Sequence, residues 1–426
     1  MSRLVVIGAG AMGLAAAYYA QRLGHQVEVF EAEDRPGGMA AHFDFDGLSI
    51  ERYYHFICKT DFPTFALLDE LGIGERLRWR PTSMGYYIAG RHYPWGDPLS
   101  LLRFPLLGLV DKIRYGAQMF LTSRARSLDH LETVSARQWI VSGAGQRVYD
   151  LLWRRLFALK FYDLADDISA GWIATRVKRI GKSRRSLMQE ELGYLEGGSE
   201  TLVAALVRAI EGAGGRITLS APVERVETAG GRVSGVRVAG RTVEADAVIS
   251  TVPTPYVPDL IPDLSEAAKE RYRAIRNIGV VCVMLKLKRP VTGNFWLNVN
   301  DQALEIPGII EFSNLRPLPE SVVYIPYYMP HDQPKWRWSD QDFVAECLAV
   351  VRRLNPVLTD DDLIAAHVGR LRYAQPVCEP GFAAKLPPVV TEIAGLQVAD
   401  TCFYYPEDRG IAESVRLAKS MAEAVR

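Results

Sequence analysis

Apolar and polar positions along the first thirty residues fall into a strand–helix–strand order. Leu4-Val5-Val6-Ile7 is a continuous apolar run, as a parallel strand buried on both faces requires. Leu14 to Leu23 is Ala-rich and reads as a helix, stopped by Gly24. Val27 to Phe30 is the next strand. A second α/β stretch lies in the middle of the chain. It has a helix over Thr201 to Ala213, a strand over Arg216 to Leu219 and an extended run, Pro222-Val223-Glu224-Arg225-Val226. Val236 to Val243 reads as a hairpin turning at Ala239-Gly240, and Ala247 to Thr251 as a buried strand. Residues 86 to about 189 carry mostly helical patterns, with Trp139, Trp153, Phe157, Phe161 and Trp172. Residues from about 261 to 371 hold strand runs such as Val280 to Leu287 and Val322 to Tyr328. Neither an internal repeat nor a low-complexity linker stands out.

The junction between the first strand and helix carries the chemistry. It reads Gly8-Ala9-Gly10-Ala11-Met12-Gly13. Gly8 permits a tight turn, Gly10 lets the backbone approach a pyrophosphate, and Gly13 lets helix and sheet pack closely. Phosphates there meet unpaired N–H groups and the positive end of a helix. Glu31 follows Gly13 by eighteen residues, at the end of the second strand. A carboxylate there accepts from adenosine ribose hydroxyls and repels a 2′-phosphate. The glycines alone also fit a bare tight turn; strand, helix, second strand and acid in register favour a dinucleotide site.

Arg35-Pro36-Gly37-Gly38 comes four residues after Glu31. With the glycine loop, it resembles the signature of flavin enzymes of the amine oxidase, protoporphyrinogen oxidase and phytoene desaturase superfamily. The resemblance implies non-covalent FAD. It implies an α/β fold, in which a Rossmann-type, glutathione-reductase-like FAD-binding domain is interleaved with an α+β substrate domain. The FAD-binding domain is expected over 1–85, 190–260 and 372–426, and the substrate domain over 86–189 and 261–371. The N-terminal cofactor set is Gly8, Gly10, Ala11, Met12, Gly13, Glu31, Ala32, Arg35, Gly37, Gly38 and Met39. By the same resemblance Val223 contacts adenine, and Gly197-Gly198 mark the return from the substrate domain. Asp400 serves the ribityl or pyrophosphate region, unless it is a plain cap. A helix starting at Gly410 and Ile411 points at the flavin pyrimidine, where its N-terminus stabilises negative charge.

Two departures narrow the likeness. Many members have an arginine after the paired glycines, where this chain has Met39. Amine oxidases place a lysine shortly after the strand that here ends at Pro253; this chain has none before Lys269. Both count against amine oxidation. Cys402 lies at the wrong place relative to Gly410 for a covalent flavin link.

Composition excludes other classes. Of 426 residues, 48% are hydrophobic and 23% charged, which suits a globular protein with a sizeable core. Lys plus Arg equals Asp plus Glu, at 50 each, which argues against nucleic-acid binding. Cys58, Cys282, Cys347, Cys378 and Cys402 contain no CxxC and suggest neither disulfides nor zinc, so a cytoplasmic setting is expected. The N-terminus is a strand and glycine loop, not a signal peptide, and no apolar stretch reaches the ~20 residues of a spanning helix.

Candidate reaction groups are fewer. Tyr53-Tyr54-His55-Phe56 follows the double glycine by about fifteen residues. In desaturases and UDP-galactopyranose mutases a histidine turn here passes the flavin ring. His55, with Tyr54, is therefore a candidate proton donor or polar contact near N5; a satisfied packing histidine is the alternative. Trp153-Arg154-Arg155 and Lys160 either bind an anionic head group such as a diphosphate or form a solvated helix face. Phe295 to Asn298, Glu311 to Asn314 and Tyr324, Tyr327 and Tyr328 either line a pocket or fill a core. Leu99 to Leu107, with Lys112, Arg114 and Arg124, is either a peripheral membrane element on the cytoplasmic face or a packed lid.

The leading expectation is an FAD oxidoreductase that desaturates or saturates a carbon–carbon bond of an apolar, isoprenoid or lipid-linked substrate. A mutase-like isomerase using reduced FAD is the alternative, and a non-catalytic flavin-binding protein a third. FAD uses the single glycine motif, so the electron partner stays open, as do substrate identity and oligomeric state.

Overall fold

The computed structural model describes residues 2–425. A parallel five-stranded sheet has the order Arg216–Thr218, Gln26–Phe30, Arg3–Ile7, Ala247–Ser250, Leu396–Val398. The chain enters this sheet from three separated stretches. Its central strand is buried from Leu4 to Ile7, as its unbroken apolar run requires. Helix Ala11–Arg22 buries Met12 to Ala20 against this sheet and the helices Glu200–Gly212 and Ile411–Glu423. Its alanines permit that close contact. Leu14 is fully buried, so truncating it to Ala costs roughly 2–5 kcal/mol.

The hairpin of Arg232–Val238 and Arg241–Glu244 turns at Ala239 and Gly240, both left-handed at φ 49° and 71°. Such a turn matches the twist of the strands it joins. Val223–Ala229 pairs with the same hairpin to make a small antiparallel sheet.

A second large sheet has the order Leu363–Pro376, Asn277–Leu287, Ser321–Met329, Gly308–Glu311, Trp296–Val299, Met84–Ile88, Arg91–Trp95. Two of its strands differ from the sequence reading. Met84–Ile88 straddles the boundary expected at residue 85, and Arg91–Trp95 lies in a stretch read as helical. Tyr86, Tyr87, Tyr93 and Trp95 favour a half-buried pleated surface, and the hairpin pairs with Trp296–Val299. Leu363–Pro376 runs straight through position 372, because it pairs along nearly all of Asn277–Leu287.

Helices Pro98–Arg103, Leu109–Arg124, Ala136–Ala144, Arg154–Phe161 and Ala170–Lys182 share a core with Trp139, Phe157, Phe161 and Trp172. Helix Arg154–Phe161 packs on strand Ser321–Met329. Among the described residues, no helix is long and apolar enough to cross a membrane.

Candidate functional site

The glycine loop sits where the central strand ends. Gly8 has φ +99°, and its N–H donates to the Phe30 carbonyl at 2.8 Å. A side chain at Gly13 would place Cβ 1.9 Å from the Gly8 carbonyl oxygen, so only glycine lets the helix begin there. A Cβ at Gly10 would meet nothing within 4 Å. Open space therefore lies beside the helix start, whose N-cap, Gly10, has no side-chain capping bond. The N–H groups of Ala11 and Met12 belong to that first turn, which carries positive partial charge.

The second glycine pair completes this cradle. Gly37 donates to the Ala9 carbonyl at 2.8 Å, and a Cβ at Gly38 would lie 3.2 Å from Gly10 Cα. Both have positive φ, at 113° and 56°. Met39 follows them in a short helical turn, half-buried. Glu31 closes the loop on itself, accepting from Ala9 N–H at 2.7 Å and Glu33 N–H at 2.9 Å, with exposed Ala32 between. Arg35 is held by Asp34 at 3.0 Å and donates to the His42 carbonyl at 3.0 Å. Val223 begins its strand half-buried, against the core that contains Val5, Ile7 and Phe30.

Asp400 is buried, and both its oxygens are taken by backbone. One accepts from Cys402 N–H at 2.8 Å, the other from Thr254 N–H at 2.6 Å. Asp400 thus caps the turn that follows it and fastens the end of the parallel sheet, with each oxygen keeping a further lone pair. Gly410 is the extended N-cap of Ile411–Glu423 and makes no side-chain cap; Ile411 is half-buried. The Tyr404 hydroxyl lies 2.8 Å from Ser414 Oγ and 3.9 Å from Met12 Sδ. Two uncapped helix N-termini therefore converge on one place, which is a donor set for an anionic ligand.

Tyr54 and His55 are half-buried on the segment that follows Glu51. Tyr54 meets Trp296 and Tyr324 edge-on, at 5.7 and 5.8 Å between ring centroids. Burial pushes the Tyr54 hydroxyl well above its ordinary range and pushes the His55 imidazole down, so both are neutral at pH 7. His55 Nδ1 is buried without a hydrogen-bond partner. His25 Nδ1 is orphaned in the same way.

The sequence matches the flavin containing amine oxidoreductase family over residues 13–382. The chain belongs to the flavin containing amine oxidoreductases. It is 27% identical over 319 residues to a 15-cis-phytoene desaturase from Synechococcus elongatus, covering 68% of this chain and 66% of that one. The chain spans between about half and two thirds of the length of the phytoene desaturases it matches. A solved oxidoreductase from Methanosarcina mazei superposes with TM-score 0.77 at 19% identity, over 99% of this chain and 100% of that one. A reduced UDP-galactopyranose mutase superposes with TM-score 0.75 at 16% identity, over 99% and 95%. These two likenesses show the fold. This flavin amine oxidoreductase is an FAD-dependent oxidoreductase, with a Rossmann-type domain and an α+β partner.

The residues present fit FAD. Open space beside Gly10, a second backbone strand at Gly37-Gly38 and two converging helix starts are what a dinucleotide needs. Lys269, the first lysine after Pro253, is ion-paired with Glu266 at 2.7 Å on its own helix. Cys402 is buried, and burial raises its thiol well above the ordinary range.

One buried charge cluster escaped the sequence reading, and a second extends what was read at Lys160. Glu51 is buried, 2.9 Å from Arg316 and 3.6 Å from His42, and accepts from Ser199 N–H at 3.0 Å. Burial opposes its charge, but His42 and Arg316 outweigh this and hold the carboxyl below the usual range. Gly198 lies against the cluster: a Cβ there would fall 2.4 Å from both Glu51 and Arg316. This knot ties the segment before Tyr54 to the helix at Glu200. The second cluster is cationic, around Lys160, Arg176 and Arg409. Of the cations read near Trp153, Arg154 pairs with Asp150 at the surface and Arg155 reaches the Leu304 carbonyl and Glu305; only Lys160 turns inward.

Proposed function

We propose that this enzyme moves a hydride between FAD and a carbon–carbon bond of an apolar or lipid-linked substrate, as a desaturase or, in reverse, as a saturase. The hydride acceptor or donor is the N5 atom that FAD supplies when bound. Gly8, Gly10, Ala11, Met12, Gly13, Gly37 and Gly38 would hold its phosphates, and Glu31 and Ala32 its adenosine ribose. Val223 would meet the adenine, and Arg35 and Met39 the connecting chain. Gly410 and Ile411 would present their helix N-terminus to the flavin pyrimidine, favouring negative charge there. Asp400 would support that end from behind.

The observation that carries the reading is the half-buried, uncharged ring pair of Tyr54 and Trp296, on the segment that also carries His55, with Tyr324 filling the core behind Tyr54. Aromatic faces exclude water and orient an apolar substrate without competing charge. The free Nδ1 of His55 would hold or take up the proton that accompanies hydride transfer.

The surface agrees with a lipid-borne substrate. Leu109, Val110, Ile113, Phe120 and Leu121 are 65, 68, 60, 52 and 66% exposed, with Leu102 beside them at 57%. On helix Leu109–Arg124 they recur at helical spacing, so one apolar face looks outward. Arg103 and Arg124 flank it, a pattern suited to an anionic membrane surface. A second reading, a mutase-like isomerase, is favoured by the three inward cations, which suit a diphosphate.

Anaerobic mixing of the FAD-loaded protein with fractionated lipid extracts tests the proposal. One fraction is expected to bleach the oxidised flavin, with a product that has lost two hydrogens. Alternatively, one fraction reoxidises the reduced flavin, with a product that has gained them. Conversion by the reduced enzyme with no change in flavin spectrum means isomerisation and overturns the proposal.

A further inference from the structure

The inward cations form a cluster with too little opposing charge. The Lys160 ammonium lies 4.3 Å from the Tyr328 ring centroid and 5.6 Å from that of Trp172. Arg176 sits 4.8 Å from the same Trp172 ring and pairs with Asp408 at 3.0 Å. Arg409 lies 5.5 Å from the Tyr328 ring and donates to its hydroxyl at 3.0 Å. Three cations thus lie among three aromatic rings, Phe161, Trp172 and Tyr328, with one carboxylate, and Arg409 also donates to the Ala374 carbonyl. Among the described residues, Lys160 has neither an ion pair nor a hydrogen bond from its ammonium. Asp408 Oδ1 and Arg409 Nε are also buried without partners.

The neighbouring cations are accounted for differently. Arg179 is held in a two-pronged pair with Asp61, at 2.7 and 3.0 Å, and Lys178 donates to the Arg126 carbonyl. The unpaired charge is therefore confined to the enclosure around Tyr328. Lys160, Asp408 and Arg409 are surrounded by the chain yet keep some accessible surface, as do half-buried Arg176 and Tyr328, so the five border a space. Burial, reinforced by Arg176 and Arg409, pushes the Lys160 ammonium well below its ordinary range. An anion entering there relieves that repulsion and completes the missing hydrogen bonds.

We propose that Lys160, Arg176 and Arg409 are the receptor for an anionic group, carboxylate or phosphate, carried by a substrate whose remainder lies along the aromatic wall. The enzyme then selects amphipathic substrates with an acidic head, not neutral hydrocarbons. This rests on the proposed function only in taking the enclosed space as the substrate's. Arg409 directly precedes Gly410, so the receptor adjoins the helix start assigned to the flavin. Lys160 and Arg176 come from two separate helices, Arg154–Phe161 and Ala170–Lys182.

Binding without turnover tests the receptor apart from the reaction. FAD-loaded, oxidised enzyme is titrated calorimetrically with decanoate, pyrophosphate and decanol. Decanoate or pyrophosphate is expected to bind; whichever binds names the head group as carboxylate or phosphate. Lys160→Met is expected to weaken that binding by about tenfold or more, and Lys160→Arg to retain most of it. The comparison of charged with neutral probes on the unaltered enzyme needs no variant to fold. Decanol matching decanoate with pyrophosphate silent, silence of both anions, or unchanged anion binding by Lys160→Met each overturns the proposal.

Discussion

The cradle around Gly8 to Gly38 and the enclosure around Lys160 are built on opposite principles. In the cradle, backbone N–H groups and helix starts would face the cofactor, and side chains are absent where it would approach. Glu31 accepts from the loop's own N–H groups. In the enclosure, long side chains from helices Arg154–Phe161 and Ala170–Lys182, strand Ser321–Met329 and the Asp408-Arg409 turn converge on one another. A backbone cradle suits a cofactor that never changes. A side-chain enclosure suits a substrate that one substitution can alter.

Four variants sharpen that contrast. The largest effect is expected at Gly13, where any Cβ drives into the Gly8 carbonyl. Gly13→Ala is expected to cost about 3 kcal/mol and to yield protein without FAD, read by urea unfolding and by visible absorption. Retained FAD with unchanged stability breaks the assignment of the cradle.

Arg316→Gln comes next, because it leaves Glu51 charged and buried. A loss of about 3 kcal/mol is expected near pH 7. The sign with pH follows from linkage. The folded-state pKa of Glu51 lies below its unfolded value, so the pair's contribution is present above the unfolded pKa. It disappears as pH falls through the folded pKa. The Tm gap between variant and parent is therefore expected to shrink on acidification; a gap that widens contradicts the ion pair.

Glu31→Arg removes the acceptor of two loop N–H bonds and the expected ribose partner. FAD retention is expected to fall about tenfold, measured by dialysis against free flavin. The smallest effect on stability is expected from Val110→Asp with Ile113→Asp. These exposed positions change stability by no more than about 0.5 kcal/mol each, while cosedimentation with anionic vesicles is lost. Undiminished vesicle binding removes this helix from any membrane role.

What the sequence made legible follows the same division. Leu4 to Ile7, the glycines and the Ala-rich helix are contiguous, and each has a local physical reason that sequence alone displays. The hairpin at Ala239-Gly240 is legible for the same cause, since its turn needs residues that accept positive φ. Met84 to Trp95 turns on the same kind of pair, Ala89-Gly90, so its hairpin carried the same local signal and was missed; only its pairing with Trp296–Val299 is remote in sequence. Asp400 shows a further limit: residue type and position predict both a cap and a cofactor contact, and only geometry shows both oxygens committed to backbone. Arg409 directly precedes the helix start at Gly410 and carried no signal of its own, and Arg176 none beyond being a charge on an otherwise buried helix face. Glu51, between buried Ile50 and half-buried Arg52, offered only a carboxylate within an alternating strand.

The most direct test of the central claim follows the flavin and the substrate together. FAD-loaded enzyme is mixed anaerobically with acidic, long-chain fractions and, separately, with neutral hydrocarbon fractions, while flavin absorption and product mass are recorded. The expected result is a change of flavin redox state with an acidic fraction, matched by loss or gain of two hydrogens. Redox exchange confined to neutral hydrocarbons contradicts the receptor. Product formation with the flavin spectrum unmoved contradicts the oxidoreductase reading.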